Sequence, residues 1–236
     1  MNLLRMPRIL RVLLTVLPLL VASCAPAGDA GPDVAARGTA PAGTQPGHGE
    51  SLPRIVFLGD SLTAGLGLPR EEAVPALIQG RVDAEGYPYD VVNAGVSGDT
   101  SAGGLSRLDW SLEGDVAILV LELGANDGLR GLPVAQMRQN LREIITRAQQ
   151  RGVTVILTGM EAPPNYGAAY TSEFRQVFRD LADEFGVAFV PFFLEGVAGI
   201  PSLNNPDGMH PNSEGATIVA ENVWQVLEPV IAIQDQ

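Results

Sequence analysis

The sequence predicts a three-layer α/β/α domain built on a five-stranded parallel sheet. Two observations predict it. Five short runs between residues 54 and 190 are continuously apolar rather than alternating, which suits strands buried on both faces. Amphipathic segments lie between them, and strand–helix alternation with short links requires parallel strands joined by right-handed crossovers. The 236 residues are 46% hydrophobic and 18% charged, a globular composition. Residues 52–236 are enough for one domain with a sizeable core.

The first strand is expected at residues 54–58, Arg-Ile-Val-Phe-Leu, ended by Gly59. Asp90, Val91 and Val92 form the second, ended by Asn93-Ala94-Gly95. Residues 116–121 are the third, ended by Leu123-Gly124; residues 153–157 and 187–190 complete the set. The clearest helices follow from spacing. Val134, Met137, Leu141, Ile144 and Ala148 step by three and four, with Pro133 at the start and Gly152 past the end. Phe174, Val177, Leu181 and Phe185 repeat the pattern before Gly186. Ala216, Val219, Val223, Val226 and Val230 mark a last helix. In open sheets of this kind, ligands bind outside the carboxyl ends of the strands.

The N-terminal 51 residues have a different character. Residues 1–23 carry Arg5, Arg8 and Arg11, then an apolar run to Val21, then Ala22 and Ser23. The run falls short of the roughly 20 residues a bilayer needs, and its order of charged, apolar and small residues predicts a secretory leader. Val21-Ala22-Ser23-Cys24 resembles the lipobox of bacterial lipoproteins, which implies cleavage before Cys24 and a lipid anchor on its side chain. The alternative is an ordinary leader with Cys24 incidental. Residues 24–51 are rich in Ala, Gly, Pro and Thr without apolar periodicity, the composition of a flexible tether. Such a chain is expected to be exported to the periplasmic side of a bacterial envelope, lipid-anchored or secreted.

Charge and residue usage exclude several functions. The formal net charge is −12, and −15 once the three leader arginines are subtracted. So acidic a domain repels phosphate backbones, so no nucleic acid partner is expected. The acid excess reads as solubility, with a cationic partner as the alternative. The single cysteine lies outside the folded part, which excludes a disulfide framework or thiolate nucleophile within it. Of the two histidines, His48 sits in the tether and His210 in the domain, too few for a histidine metal cluster. No metal and no cofactor is expected.

Four stretches carry chemistry. Gly59-Asp60-Ser61-Leu62 stands at the carboxyl end of the first strand, where Ser61 starts a helical turn and backbone N–H groups favour a developing oxyanion. On this tetrapeptide alone a capping serine is an equal reading. Asp207-Gly208-Met209-His210 precedes the last helix. A serine hydroxyl needs a base to take its proton, and the base needs an orienting acceptor. An Asp three residues before a His can turn back to Nδ1 and leave Nε2 facing Ser61; Asp207 also reads as a turn residue beside Asn205-Pro206 and Pro211. Residues 93–100 offer glycine amides for close approach to a ligand, Gly95 and Gly98 competing on spacing. Gly124-Ala125-Asn126-Asp127 brings a side-chain amide to the same crevice.

Together with Ser97-Gly98-Asp99-Thr100 and Pro211, these blocks resemble the GDSL/SGNH hydrolase family over residues 54–230. The likeness is closest to the bacterial thioesterase I/protease I/lysophospholipase and arylesterase group. Leu121-Glu122-Leu123-Gly124 and Pro191-Phe192-Phe193 support it. The resemblance implies a flavodoxin-like fold, with Ser61 as nucleophile, His210 and Asp207 as the other triad members, and an oxyanion hole from Ser61, Gly98 and Asn126. It picks Gly98 over Gly95. Gly59-Asp60-Ser61-Leu62-Thr63 is not the G-x-S-x-G elbow, which sets α/β-hydrolases aside.

The expected substrate is a small acyl ester: an aryl ester, thioester or lysophospholipid. Residues 128–133 are expected as a loop over the bound chain, which the resemblance links to acyl-chain preference; Arg130 reads as a solvated side chain, or as a contact for an anionic head group. Met160, Pro163, Pro164, Tyr166, Phe192 and Phe193 are candidates for an apolar groove. The alternatives are a deacetylase of envelope carbohydrates, an acyltransferase, and an inert binding lipoprotein on the same fold.

Overall fold

The computed structural model describes residues 52–234. The expected leader, Cys24, and the expected tether with His48 lie outside the described residues. Five parallel strands run β1 (Arg54–Gly59), β2 (Asp90–Gly95), β3 (Val116–Glu122), β4 (Thr154–Thr158) and β5 (Ala188–Val190), in the spatial order β2-β1-β3-β4-β5. The three inner strands are buried on both faces: Ile55, Phe57, Leu58, Ile118, Leu119, Val120, Leu121, Ile156 and Leu157 are inaccessible to solvent. Continuous apolar runs rather than alternation are the consequence. The edge strand β2 is half-buried, and its run is correspondingly more polar.

The helices are α1 (Ser61–Ala64), α2 (Val74–Glu85), α3 (Ser101–Ser106), α4 (Leu108–Ser111), α5 (Ala125–Leu129), α6 (Val134–Gln150), α7 (Ala168–Phe185) and α8 (Ser213–Gln234). α2 packs on α8, and the pair meets β2 and β5; α6 packs between α3 and α7, and α6 and α7 meet β4. Handedness explains the division. The chain moves from β1 outward to β2, then back across β1 to β3, β4 and β5, and reversing direction with right-handed crossovers sends the helices to opposite faces.

Several elements differ from the sequence expectation. β2 extends through Asn93, Ala94 and Gly95, pairing Gly95 with Gly59, so these residues are strand and not loop. Gly128 and Leu129 belong to α5, so the connection to α6 is shorter than residues 128–133. Helices α2, α3 and α4 are not among those expected from apolar spacing. α2 buries Val74, Pro75, Ile78 and Val82, and Leu77 packs on the core as well. Val74, Ile78 and Val82 step by four, but Ala76, Gly80 and Ala84 on the more exposed positions blur the contrast with polar Gln79, Asp83 and Glu85.

Candidate active site

The reversal of direction falls between β1 and β3, and open sheets bind ligands at such a point, beyond the strand carboxyl ends. Here β1 delivers Ser61 and β3 delivers Asn126. An open cleft of about 370 Å³ lies there, within the range of small-ligand sites, and Ser61, Ser97, Gly98, Asn126 and His210 all line it. The four sequence blocks therefore meet at one cleft.

The Ser61 Oγ lies 2.8 Å from His210 Nε2, and His210 Nδ1 lies 2.7 Å from Asp207 Oδ2. The Asp207 carboxylate is an acceptor, which puts the imidazole proton on Nδ1 and leaves Nε2 to accept from the Ser61 hydroxyl. Local bonding fixes the loop that carries His210. Asp207 Oδ1 accepts the backbone N–H groups of Met209 at 2.9 Å and His210 at 3.0 Å. The Asn205 N–H donates to the His210 carbonyl at 2.7 Å, and the Asn205 side chain reaches the carbonyls of Leu66 and Pro211. Leu66 follows α1, so one asparagine ties the histidine loop to the serine segment. The backbone N–H of His210, then that of Met209 and the imidazole, pull the Asp207 carboxyl down to about 2.

Ser61 is the first residue of α1, capped by Asp60, whose Oδ1 accepts the Leu62 N–H at 3.0 Å. The capping role that sequence offered to Ser61 belongs to Asp60. Asn126 Nδ2 donates to Asp60 Oδ2 at 3.0 Å. Gly98 lines the cleft, whereas the Gly95 N–H is taken by Asn93 Oδ1 at 2.9 Å. The Gly95 Cα packs hard on the first turn of α1: a Cβ there would stand 2.3 Å from the Ala64 nitrogen. The two glycines thus do different jobs.

The apolar wall of the cleft includes Leu66, Leu129, Met160, Pro163, Leu194 and Met209. Of the six groove candidates, Met160 and Pro163 belong to it. Phe193 is fully buried in the core, and Pro164, Tyr166 and Phe192 lie outside the lining. Tyr166 and Tyr170 instead donate their hydroxyls to the carbonyls of Leu129 and Leu132, each at 2.9 Å. Arg130 stays exposed, but its Nη2 donates to the Gly98 carbonyl at 2.8 Å rather than to water alone.

Other functional-block residues have structural partners that sequence did not reveal. Asp99 pairs with Arg107 at 2.6 Å, and Arg107 also reaches the carbonyls of Ala94 and Gly59. Asp127 is buried and accepts both the N–H and the hydroxyl of Ser101, fastening α5 to α3. Glu122, at the end of an apolar strand, is wholly buried; its Oε2 accepts from Thr63 Oγ1 at 2.8 Å and from the Asp60 N–H at 3.3 Å. An acidic residue closing an apolar run was the available signal.

Residues 57–218 match the GDSL-like lipase/acylhydrolase family. The chain is 46% identical to esterase TesA of Pseudomonas aeruginosa over 178 residues, which cover 75% of this chain and 89% of that protein. It is 38% identical to thioesterase 1/protease 1/lysophospholipase L1 of Escherichia coli K12, over 75% of this chain and 84% of that protein. Among solved structures, the psychrotrophic esterase EstA of Pseudoalteromonas sp., inhibited by monoethylphosphonate, superposes with a TM-score of 0.72 at 34% identity, covering 76% of this chain and 98% of that one. By family match, fold and relatives alike, the chain belongs to the GDSL-like lipase/acylhydrolase family and is a carboxylic ester hydrolase.

Proposed function

We propose that the enzyme hydrolyses acyl esters by a two-step serine mechanism, with Ser61 as nucleophile, His210 as base and Asp207 as its orienting partner. The observation that carries this reading is the unbroken line from Ser61 Oγ through the imidazole to the Asp207 carboxylate, at 2.8 and 2.7 Å. His210 Nε2 takes the hydroxyl proton as Oγ attacks the acyl carbon. The imidazolium then returns that proton to the departing alcohol or thiol, leaving an acyl-serine. Water attacks the acyl carbon in the second step, gives its proton to His210, and the carboxylic acid leaves as Ser61 recovers its hydrogen. The developing oxyanion is held by the N–H groups of Ser61 and Gly98 and by the Asn126 amide. Such donors are worth roughly 3 kcal/mol each when lost.

The cleft walls favour an acyl or aryl group over a sugar: Leu66, Leu129, Met160 and Leu194 offer apolar surface next to the hydroxyl. Aryl esters, acyl thioesters and lysophospholipids are the substrate classes this suits, and the names of the relatives point the same way. Cys24 is proposed as the lipid-bearing first residue of an exported chain, on the strength of the Val21-Ala22-Ser23-Cys24 motif. The test of the chemistry is direct. Purified enzyme turns over p-nitrophenyl acyl esters and is blocked by an organophosphonate that labels Ser61, and Ser61→Ala loses on the order of 10³-fold or more in kcat. Full turnover by Ser61→Ala refutes the assignment.

A further inference from the structure

Two carboxyl groups lie buried directly behind Ser61, and the two-step mechanism uses neither. Asp60 and Glu122 are both inaccessible to solvent. The parallel register pairs Gly59 with Glu122 and so brings the next residue, Asp60, against the glutamate. Two carboxylates held side by side away from water cannot both ionise, so the pair carries one proton.

The bonding shows which group holds it. Asp60 has a donor on each oxygen: the Leu62 N–H on Oδ1 and the Asn126 amide on Oδ2, both at 3.0 Å. Glu122 receives its two donors on Oε2, from Thr63 and the Asp60 N–H, while its buried Oε1 has no partner. A bare buried carboxylate oxygen is costly, and a proton on Oε1 removes its charge. Burial pushes both groups upward. Glu122 goes well above the usual carboxylate range because the Asp60 charge adds to its own desolvation. Of the other titratable or charged groups nearby, His210 favours the Asp60 charge from the loop before α8 only when its imidazole is protonated, and Arg107 is engaged by the Gly59 carbonyl and Asp99.

We infer that Asp60 and Glu122 form a one-proton pair beneath the nucleophile, Glu122 neutral and Asp60 ionised, and that Asp60 is a positioning residue for the Asn126 amide. The role rests on the oxyanion reading given above. An amide carries two N–H donors; Asp60 engages one, which fixes the plane of the group and sets the other for substrate. Ionising Glu122 as well would place a second negative charge beside a site that must accept an oxyanion. Its neutrality is what allows the anchoring charge on Asp60.

Kinetics and infrared spectroscopy test the two halves separately. Asp60→Asn lowers kcat for a p-nitrophenyl ester by about tenfold or more with KM little changed, yet costs less than about twofold when made in Asn126→Ala. Losses that simply add, with Asn126→Ala itself impaired, overturn the positioning role alone. Wild-type kcat in Asn126→Ala overturns the oxyanion reading beneath it. At neutral pH the wild-type infrared spectrum contains the carbonyl stretch of an un-ionised carboxylic acid that Glu122→Gln lacks. Loss of carboxylate bands instead overturns the shared proton. That measurement needs Glu122→Gln and wild type only, so it stands even if Asp60→Asn does not fold.

Discussion

At the scale of single residues, two buried or bonded acids pull stability in opposite directions with pH. The folded Asp207 carboxyl lies near 2, below its unfolded value, through the N–H groups of His210 and Met209. Its contribution is therefore present above the ordinary aspartate range and lost as pH falls toward 2. Glu122 is the reverse: the folded chain keeps a proton that the unfolded chain releases, so stability declines as pH rises past the ordinary glutamate range. In urea denaturation, Asp207→Asn is expected to lose less stability than wild type between pH of about 4 and 2. An unchanged acid limb disproves the assigned role. The same variant lowers kcat on the order of 10²- to 10⁴-fold, because an amide no longer selects the imidazole tautomer. The convergence of Ser61, Asp207 and His210 was legible from blocks at the strand carboxyl ends, the domain's single histidine and the family resemblance. The local signals alone left Ser61 as a possible cap and Asp207 as a turn residue. The partnership of Asp60 with Glu122 was not legible, since it spans 62 positions and exists only through strand register.

At the scale of elements, the inner strands announce themselves because burial on both faces demands apolar side chains without interruption. Helices α6 and α7 announce themselves by the opposite route, one apolar stripe against a polar face. α2 is hidden by the small residues Ala76, Gly80 and Ala84 that dilute its polar face, and α3 by its composition, Ser-Ala-Gly-Gly-Leu-Ser, which owes its start to Thr100 accepting the Gly103 N–H. The contact of β2 with α1 leaves no room for a side chain at Gly95. A Cβ on Gly95 would meet the Ala64 nitrogen at 2.3 Å and the Asp60 carbonyl oxygen at 2.9 Å. Both are backbone atoms of a strand-anchored turn and cannot swing aside. Gly95→Ala is therefore expected to destabilise by about 1–3 kcal/mol and to displace the turn that carries Ser61, lowering turnover. Gly80, inside α2, has open space where a Cβ would stand, so Gly80→Ala gains about 1 kcal/mol from helix propensity. Thermal unfolding of both variants checks the contrast, and equal shifts of the same sign would falsify it.

At the scale of the whole molecule, an acidic domain follows 51 residues of unlike composition, proposed above to begin with an export leader. If Cys24 carries lipid, intact-mass spectrometry of membrane-extracted protein finds a chain that begins at Cys24 with added acyl mass, and Cys24→Ala moves the enzyme to the soluble fraction. An unmodified N-terminus downstream of Cys24 ends the idea. The order β2-β1-β3-β4-β5 has a further consequence for how the enzyme fails. Ser61 is supplied by the first strand, and His210, its proposed base, arrives 149 positions later, on a turn directly ahead of the closing helix. No autonomous fragment owns the reaction. Detachment of α8 alone would disarm the hydroxyl while the sheet still stood, so ester turnover serves as a gauge of C-terminal docking that optical probes of the sheet would register only later.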